Sequence, residues 1–132
     1  MNRIVSTTLG CLVAGLTLAA FDVGAATIRV QCEQRGTVRS TLSVEARGLP
    51  ILAAGAYTAQ VVSGPNMATS PDLVLKGREA EADFDSDKGD IAESATAIAG
   101  NFIVGGSATG KIAAPDGTTV ISDTVACRVR TR

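Results

Sequence analysis

Two cysteines follow the apolar leader of this chain, Cys32 and Cys127, and both sit in period-two apolar patterns. Near the start of the mature chain, Ile28, Val30 and Cys32 alternate with Arg29, Gln31 and Glu33. At its end, in Thr118–Arg130, Ile121, Val125, Cys127 and Val129 share one parity, while Ser122, Thr124, Arg128 and Arg130 share the other. Alternation in β-branched sequence is the mark of a half-buried strand. Each cysteine thus faces inward on a terminal strand. We expect the two terminal strands to lie side by side, bridged by Cys32–Cys127, with the rest of the fold between them. In the chain-entropy account a bridge closing so long a loop stabilises by roughly 4–5 kcal/mol.

The bridge needs an oxidising compartment, and the first residues supply an address. Met1-Asn2-Arg3 is a short positive region, Ile4–Phe21 is apolar, and Val23-Gly24-Ala25 fits a cleavage site after Ala25. Residues 1–25 read as an export signal and 26–132 as one domain, periplasmic or secreted. No stop-transfer charges follow the apolar run, so no membrane insertion is expected once the signal is removed. Cys11 leaves with the signal, and the two remaining cysteines pair.

Between the terminal strands, Thr37–Ala46 puts Val38, Leu42, Val44 and Ala46 inward, and Ser40 with them, which would need a hydrogen-bond partner. Ala56–Ser63 puts Tyr57, Ala59 and Val61 inward. Gly64-Pro65-Asn66 opens a polar loop to Pro71, and Leu73–Leu75 reads as a short strand. Arg78–Asp85 is a strand with Ala80, Ala82 and Phe84 inward and Glu79, Glu81, Asp83 and Asp85 outward. Asp90-x-x-Glu93 has helix-capping spacing, for one or two turns ended by Gly100. Phe102–Val104 and Ser107–Ala113 are strand, interrupted at Gly105-Gly106, and Pro115-Asp116-Gly117 turns the chain into its last strand. Seven or eight short strands with turn signals every eight to twelve residues predict an all-β fold, an antiparallel β-sandwich of immunoglobulin-like size.

Leu49-Pro50, Gly55-Ala56-Tyr57 and Val61 resemble the Leu-Pro-x-Gly-x-Tyr-x-x-x-Val hairpin of exported bacterial immunoglobulin-like or prealbumin-like sandwich modules, although here four residues separate Pro50 from Gly55. The resemblance implies the fold and no catalytic residue. Tyr57 could serve as a corner tyrosine bonded back to a loop, or as a core residue with its hydroxyl at the rim.

Composition narrows the function. With no His there is no Ser–His or Cys–His dyad and no imidazole metal site. Aromatics are 3%, too few for the stacking platforms of a typical sugar hydrolase. A net charge of -1 argues against nucleic acid as partner. Paired carboxylates such as Asp83 and Asp85 leave a small hydrolase as one alternative, but side by side on a strand they do not straddle a cleft, and the chain is read as no enzyme.

Charge is unevenly placed. Most of the mature chain's acids fall in Glu79–Glu93, and most of its bases are arginines of the terminal strands and their neighbours, Arg29, Arg35, Arg39, Arg47, Arg128, Arg130 and Arg132. An acidic edge can be a solvated guard against strand pairing. The Asp-x-Asp-x-Asp spacing also suits a hard cation, so Asp83, Asp85, Asp87 and Asp90 are candidate ligands for weakly bound Ca²⁺. The match to a calcium loop is imperfect, because Lys88 stands where glycine should turn the chain. No other cofactor is implied. The expected product is a self-sufficient monomer that binds an unidentified protein or small ligand. A structural subunit of a cell-surface assembly is the alternative.

Overall fold

The computed structural model describes residues 25–131, so nearly all of the expected export signal lies outside the described residues. Nine strands and one short helix follow in order: β1 (Thr27–Arg35), β2 (Arg39–Arg47), β3 (Thr58–Ser63), β4 (Asn66–Thr69), β5 (Ala80–Asp85), α1 (Lys88–Ala92), β6 (Thr96–Ala97), β7 (Ser107–Ala113), β8 (Thr119–Ala126) and β9 (Arg128–Arg130). They form a five-stranded sheet in the order β6-β5-β2-β1-β9 and a four-stranded sheet in the order β4-β3-β7-β8.

Alternation decides which faces meet. Leu42, Val44 and Ala46 of β2 and Ala80, Ala82 and Phe84 of β5 point to one side, and Ala59 and Val61 of β3 with Ala108 and Ile112 of β7 point back at them. Full burial of a Leu, Val, Ile or Phe side chain stabilises by about 1.5–3 kcal/mol. Tyr57 and Phe102 join this core. At Gly110 the facing sheet leaves no room for a side chain: a Cβ would come within 2.7 Å of Val30 Cγ2 and 2.9 Å of Val44 Cγ2.

The final strand differs from the expected single run. At Cys127 the chain leaves the four-stranded sheet and joins the five-stranded one, so Thr118–Arg130 becomes β8 and then β9. β8 pairs antiparallel with β7, whereas β9 pairs parallel with β1, Glu33 opposite Arg128. The terminal strands therefore touch, but only over Glu33–Arg35. The switch also overturns the inward reading of Val129, which is 66% exposed. β5 and β6 form a second parallel pair, so the sandwich is not purely antiparallel.

Other elements shift for local reasons. Val38 belongs to the β1–β2 turn, where its N–H donates to Arg35 O, and it is 79% exposed rather than inward. Asn66–Thr69, read as loop, pairs with β3 beyond the Gly64-Pro65 turn. Leu73–Leu75 forms no strand: Leu73 N–H ties to Tyr57 O, and an isolated bridge follows at Lys76–Glu79. Phe102 and Ile103 are buried, but in an irregular loop instead of the expected strand.

Buried backbone outside a ladder must still be hydrogen-bonded, and three side chains do this for that loop. Ser40 Oγ donates to Gly100 O at 2.8 Å and accepts from Ile103 N–H. Ser63 Oγ donates to Ser107 O and accepts from Val104 N–H, both at 2.7 Å. Asn66 Nδ2 donates to Phe102 O at 2.7 Å. The partner expected for inward Ser40 is thus the loop itself. Tyr57 OH donates to Pro50 O at 2.6 Å, the bond of a corner tyrosine.

Candidate functional site

The disulfide Cys32–Cys127 is present, with the two Cα atoms 4.6 Å apart. It ties β1 to the chain at the point where β8 gives way to β9, and so joins the two sheets. Such a bridge is consistent with an oxidising compartment.

The candidate metal ligands do not act as one group. Asp83 points to solvent on the outer face of β5. Asp85, one pleat along, has the same outward parity but is only 4% exposed, contrary to the outward-exposed reading. Arg39 of β2 and the turn into α1 cover it. Arg39 Nε donates to Asp85 Oδ1 at 3.2 Å and Nη2 to Oδ2 at 3.0 Å, and Asp87 N–H donates to Oδ1 at 2.9 Å. Asp90 swings in from α1, its Oδ2 2.6 Å from Arg39 Nη2. Asp87 takes another task. It is the N-cap of α1, and its Oδ2 accepts from the N–H groups of Gly89 and Asp90. The expected cap at Asp90 is therefore displaced to Asp87, and the helix stops at Ala92, well before Gly100. Among the described residues no three acidic, His or Cys side chains are placed to share a metal ion.

Two carboxylates on one guanidinium shift in opposite directions. Burial pushes the Asp85 carboxyl up, but the hydrogen bonds from Arg39, the Asp87 N–H and Asp90 together hold it below its ordinary value. Asp90 is raised, first by its hydrogen bond to Asp85 and then by desolvation. The cluster is an ion pair with a second, frustrated acid attached.

The larger concavity runs from the outer face of β1 and β2 to the gap between β1 and the end of β8, beside the disulfide. It measures about 400 Å³ and is lined by Gln31 and Glu33 of β1, Thr41 and Ser43 of β2, and Arg128 of β9, with Val30, Cys32, Val125 and Ala126 at its edge. Register explains the lining. Gln31 stands opposite Ser43, Glu33 opposite both Thr41 and Arg128. Its lining brings hydroxyl and amide groups together with one carboxylate and one guanidinium. A smaller hollow of about 140 Å³ follows along the strands, lined by Glu33, Arg35, Arg39 and Thr41. Alternation already turned these side chains outward, but nothing in the sequence said that β9 would come alongside β1 and wall the hollow with Arg128.

No family model, curated protein or solved structure matches the chain.

Proposed function

We propose that this protein is an exported, single-domain sandwich of immunoglobulin-like topology that works by binding, in the periplasm or outside the cell, and that it binds through the outer face of its five-stranded sheet. The strand order supports the topology: β1 pairs with β2 and β2 with the later β5, while β3 pairs with β7 and β7 with β8, which is how immunoglobulin-like folds divide their strands between two sheets. One observation carries the binding surface. The largest of the described hollows opens onto that face and is lined by hydrogen-bonding groups and by both charge signs.

Catalysis has less support. Asp83, Asp85, Asp90 and Glu93 do line one small hollow of about 140 Å³, but Asp85 and Asp90 are held on Arg39, which suits them to joining α1 to the sheet rather than to moving protons on a substrate. The same geometry bears on Ca²⁺, because Arg39 stands where a cation would. Calorimetric titration at millimolar Ca²⁺ decides that point. Heat and a rise in melting temperature, both lost in Asp85→Asn/Asp87→Asn, would return these acids to metal binding.

The binding face is tested by capture from envelope extract. A partner held by the mature domain should be lost with Ser43→Arg, which fills the hollow, and kept with Gln60→Arg on the outer face of the other sheet. Equal capture by both variants would contradict the proposed surface.

A further inference from the structure

Charges on the outer face of the five-stranded sheet divide by sign across the strands. Several neutralise one another: Glu33 with Arg130 and Arg35, Glu45 with Arg47, and Arg39 with Asp85 and Asp90. On the paired strands, four exposed ones have no ion-pair partner among the described residues. Glu81 and Asp83 stand on β5, Arg29 on β1 and Arg128 on β9. On the strands the free acids are thus on one side of the sheet and the free arginines on the other, with β2 between them, while Lys76 of the preceding loop lines a hollow with Glu45, Glu79 and Glu81. Register adds a second coordinate. Glu81, Glu45 and Arg29 form one row across the sheet, and Asp83, Ser43 and Gln31 form the next.

A polyanion laid on this face would meet the arginines but also the acids of β5, about 10 Å away across two strand spacings. A polycation would meet the reverse. The surface that satisfies both sides carries the opposite order of signs at the same spacing. We propose that the partner of this face is a second copy of the chain, stacked sheet on sheet about a two-fold axis that runs along β2. This rests on the binding surface proposed above and names its partner.

Such an axis exchanges the two sides of the sheet and keeps each residue in its row. Glu81 then lies over Arg29 of the second copy, and Asp83 over Gln31 of the second copy, an amide that can donate to it. Symmetry makes each pair twice. The same axis sets Arg128 over β6, at the rim of the stack, and Asp85 over Glu33, each acid already held on an arginine of its own copy. At the axis itself stand Thr41 and Ser43, small and uncharged, and Glu45, which carries its own counterion in Arg47. Aligned packing of two twisted sheets is an ordinary arrangement. The net charge of -1 puts little long-range repulsion between copies. The face is only about 15 Å by 25 Å, about 750 Å² over the two copies and below the roughly 1,000 Å² of a stable interface, so the dimer is weak and reversible. Because exposed ion pairs hold it, it is sensitive to salt. This replaces the monomer expected from the bridged termini.

Sedimentation of the mature domain tests it, at about 50 mM and about 500 mM NaCl. Wild type should dimerise with rising concentration in low salt and lose the dimer in high salt. Glu81→Arg alone and Arg29→Glu alone should each weaken association by at least about tenfold, since each sets like charges together twice. An equimolar mixture of the two variants should regain it, because both cross-pairs then join opposite charges. Both positions are exposed, so folding is not at risk, and a thermal melt of each variant checks this. A wild type that stays monomeric in low salt, or a mixture that fails to regain association, overturns the second copy. So does Arg29-dependent retention on a heparin column without self-association, which would assign the arginines to a polyanion. Capture from extract separates the two levels. If copies do not associate but Ser43→Arg still abolishes capture, the face stands and its partner is another molecule. If Ser43→Arg has no effect either, the face falls as well.

Discussion

Arg39 and Asp85 form a two-point pair across neighbouring strands, Nε to Oδ1 at 3.2 Å and Nη2 to Oδ2 at 3.0 Å, with the carboxylate almost fully buried. Removing Asp85 leaves Arg39 with Asp90 alone and takes the acceptor from the Asp87 N–H. Asp85→Ala should therefore cost about 1–3 kcal/mol, read from urea unfolding at pH 7. It should also loosen α1, because the Asp87 N–H loses its acceptor. A cost within about 0.5 kcal/mol, the range of ordinary surface substitutions, would show that Asp85 is not held as described.

Asp90 should behave in the opposite way. Its folded pKa is raised, so its contribution is present below the unfolded value of about 3.9 and is lost as pH rises through the folded value. Asp85 has a lowered folded pKa, so its contribution is present above about 3.9 and is lost as pH falls through the folded value. Asp90→Asn mimics the protonated acid. It should melt at the same temperature as wild type or higher at pH 7, with the difference closing as pH falls toward about 4. Thermal melts from pH 3 to 8 check this. A lower melting temperature at pH 7 would mean that Arg39 pairs productively with both acids.

Gly110 gives a packing test. An added Cβ would lie 2.7 Å from Val30 Cγ2 and 3.1 Å from Val30 Cγ1, on a short side chain that cannot swing clear. Gly110→Ala should destabilise by about 1–3 kcal/mol through overpacking, even though alanine is better than glycine for a strand's backbone entropy. Chemical denaturation measures it, and a stabilised variant would show that the sheets are further apart at this point.

The disulfide joins cysteines 95 positions apart. Cys32→Ala/Cys127→Ala should lower stability by about 2–5 kcal/mol and free β9 from β1, visible as faster amide exchange at Arg128–Arg130 than at β2 or β5. Unchanged protection of β9 would mean that the parallel pairing stands without the bridge.

Much of the fold was legible because alternation is local. The inward sets of β2, β3 and β5, the two cysteines and the buried hydroxyl of Ser40 all follow from counting by two. What stayed hidden depends on contacts distant in sequence. Asp85 has the parity of an exposed residue and is buried only because Arg39, 46 positions earlier, reaches over it. Val129 continues an apolar pattern across Cys127, but the chain changes sheets there and the pattern loses its meaning. Phe102 and Ile103 look like strand because they are apolar, yet side chains of Ser40, Ser63 and Asn66 take the place of a neighbouring strand. The candidate site was half visible. Outward parity named Gln31, Glu33, Thr41 and Ser43, but rows across the sheet need the register, and Arg128 needs the parallel return of β9.

The most direct test of the binding surface is amide chemical-shift mapping of the isotope-labelled mature domain as its captured partner is added. The expected shifts cluster at Arg29, Gln31, Thr41, Ser43, Glu81, Asp83 and Arg128, on the outer face of the five-stranded sheet. Shifts centred on Gln60, Lys111, Ser122 and Thr124, across the four-stranded sheet, would contradict the account.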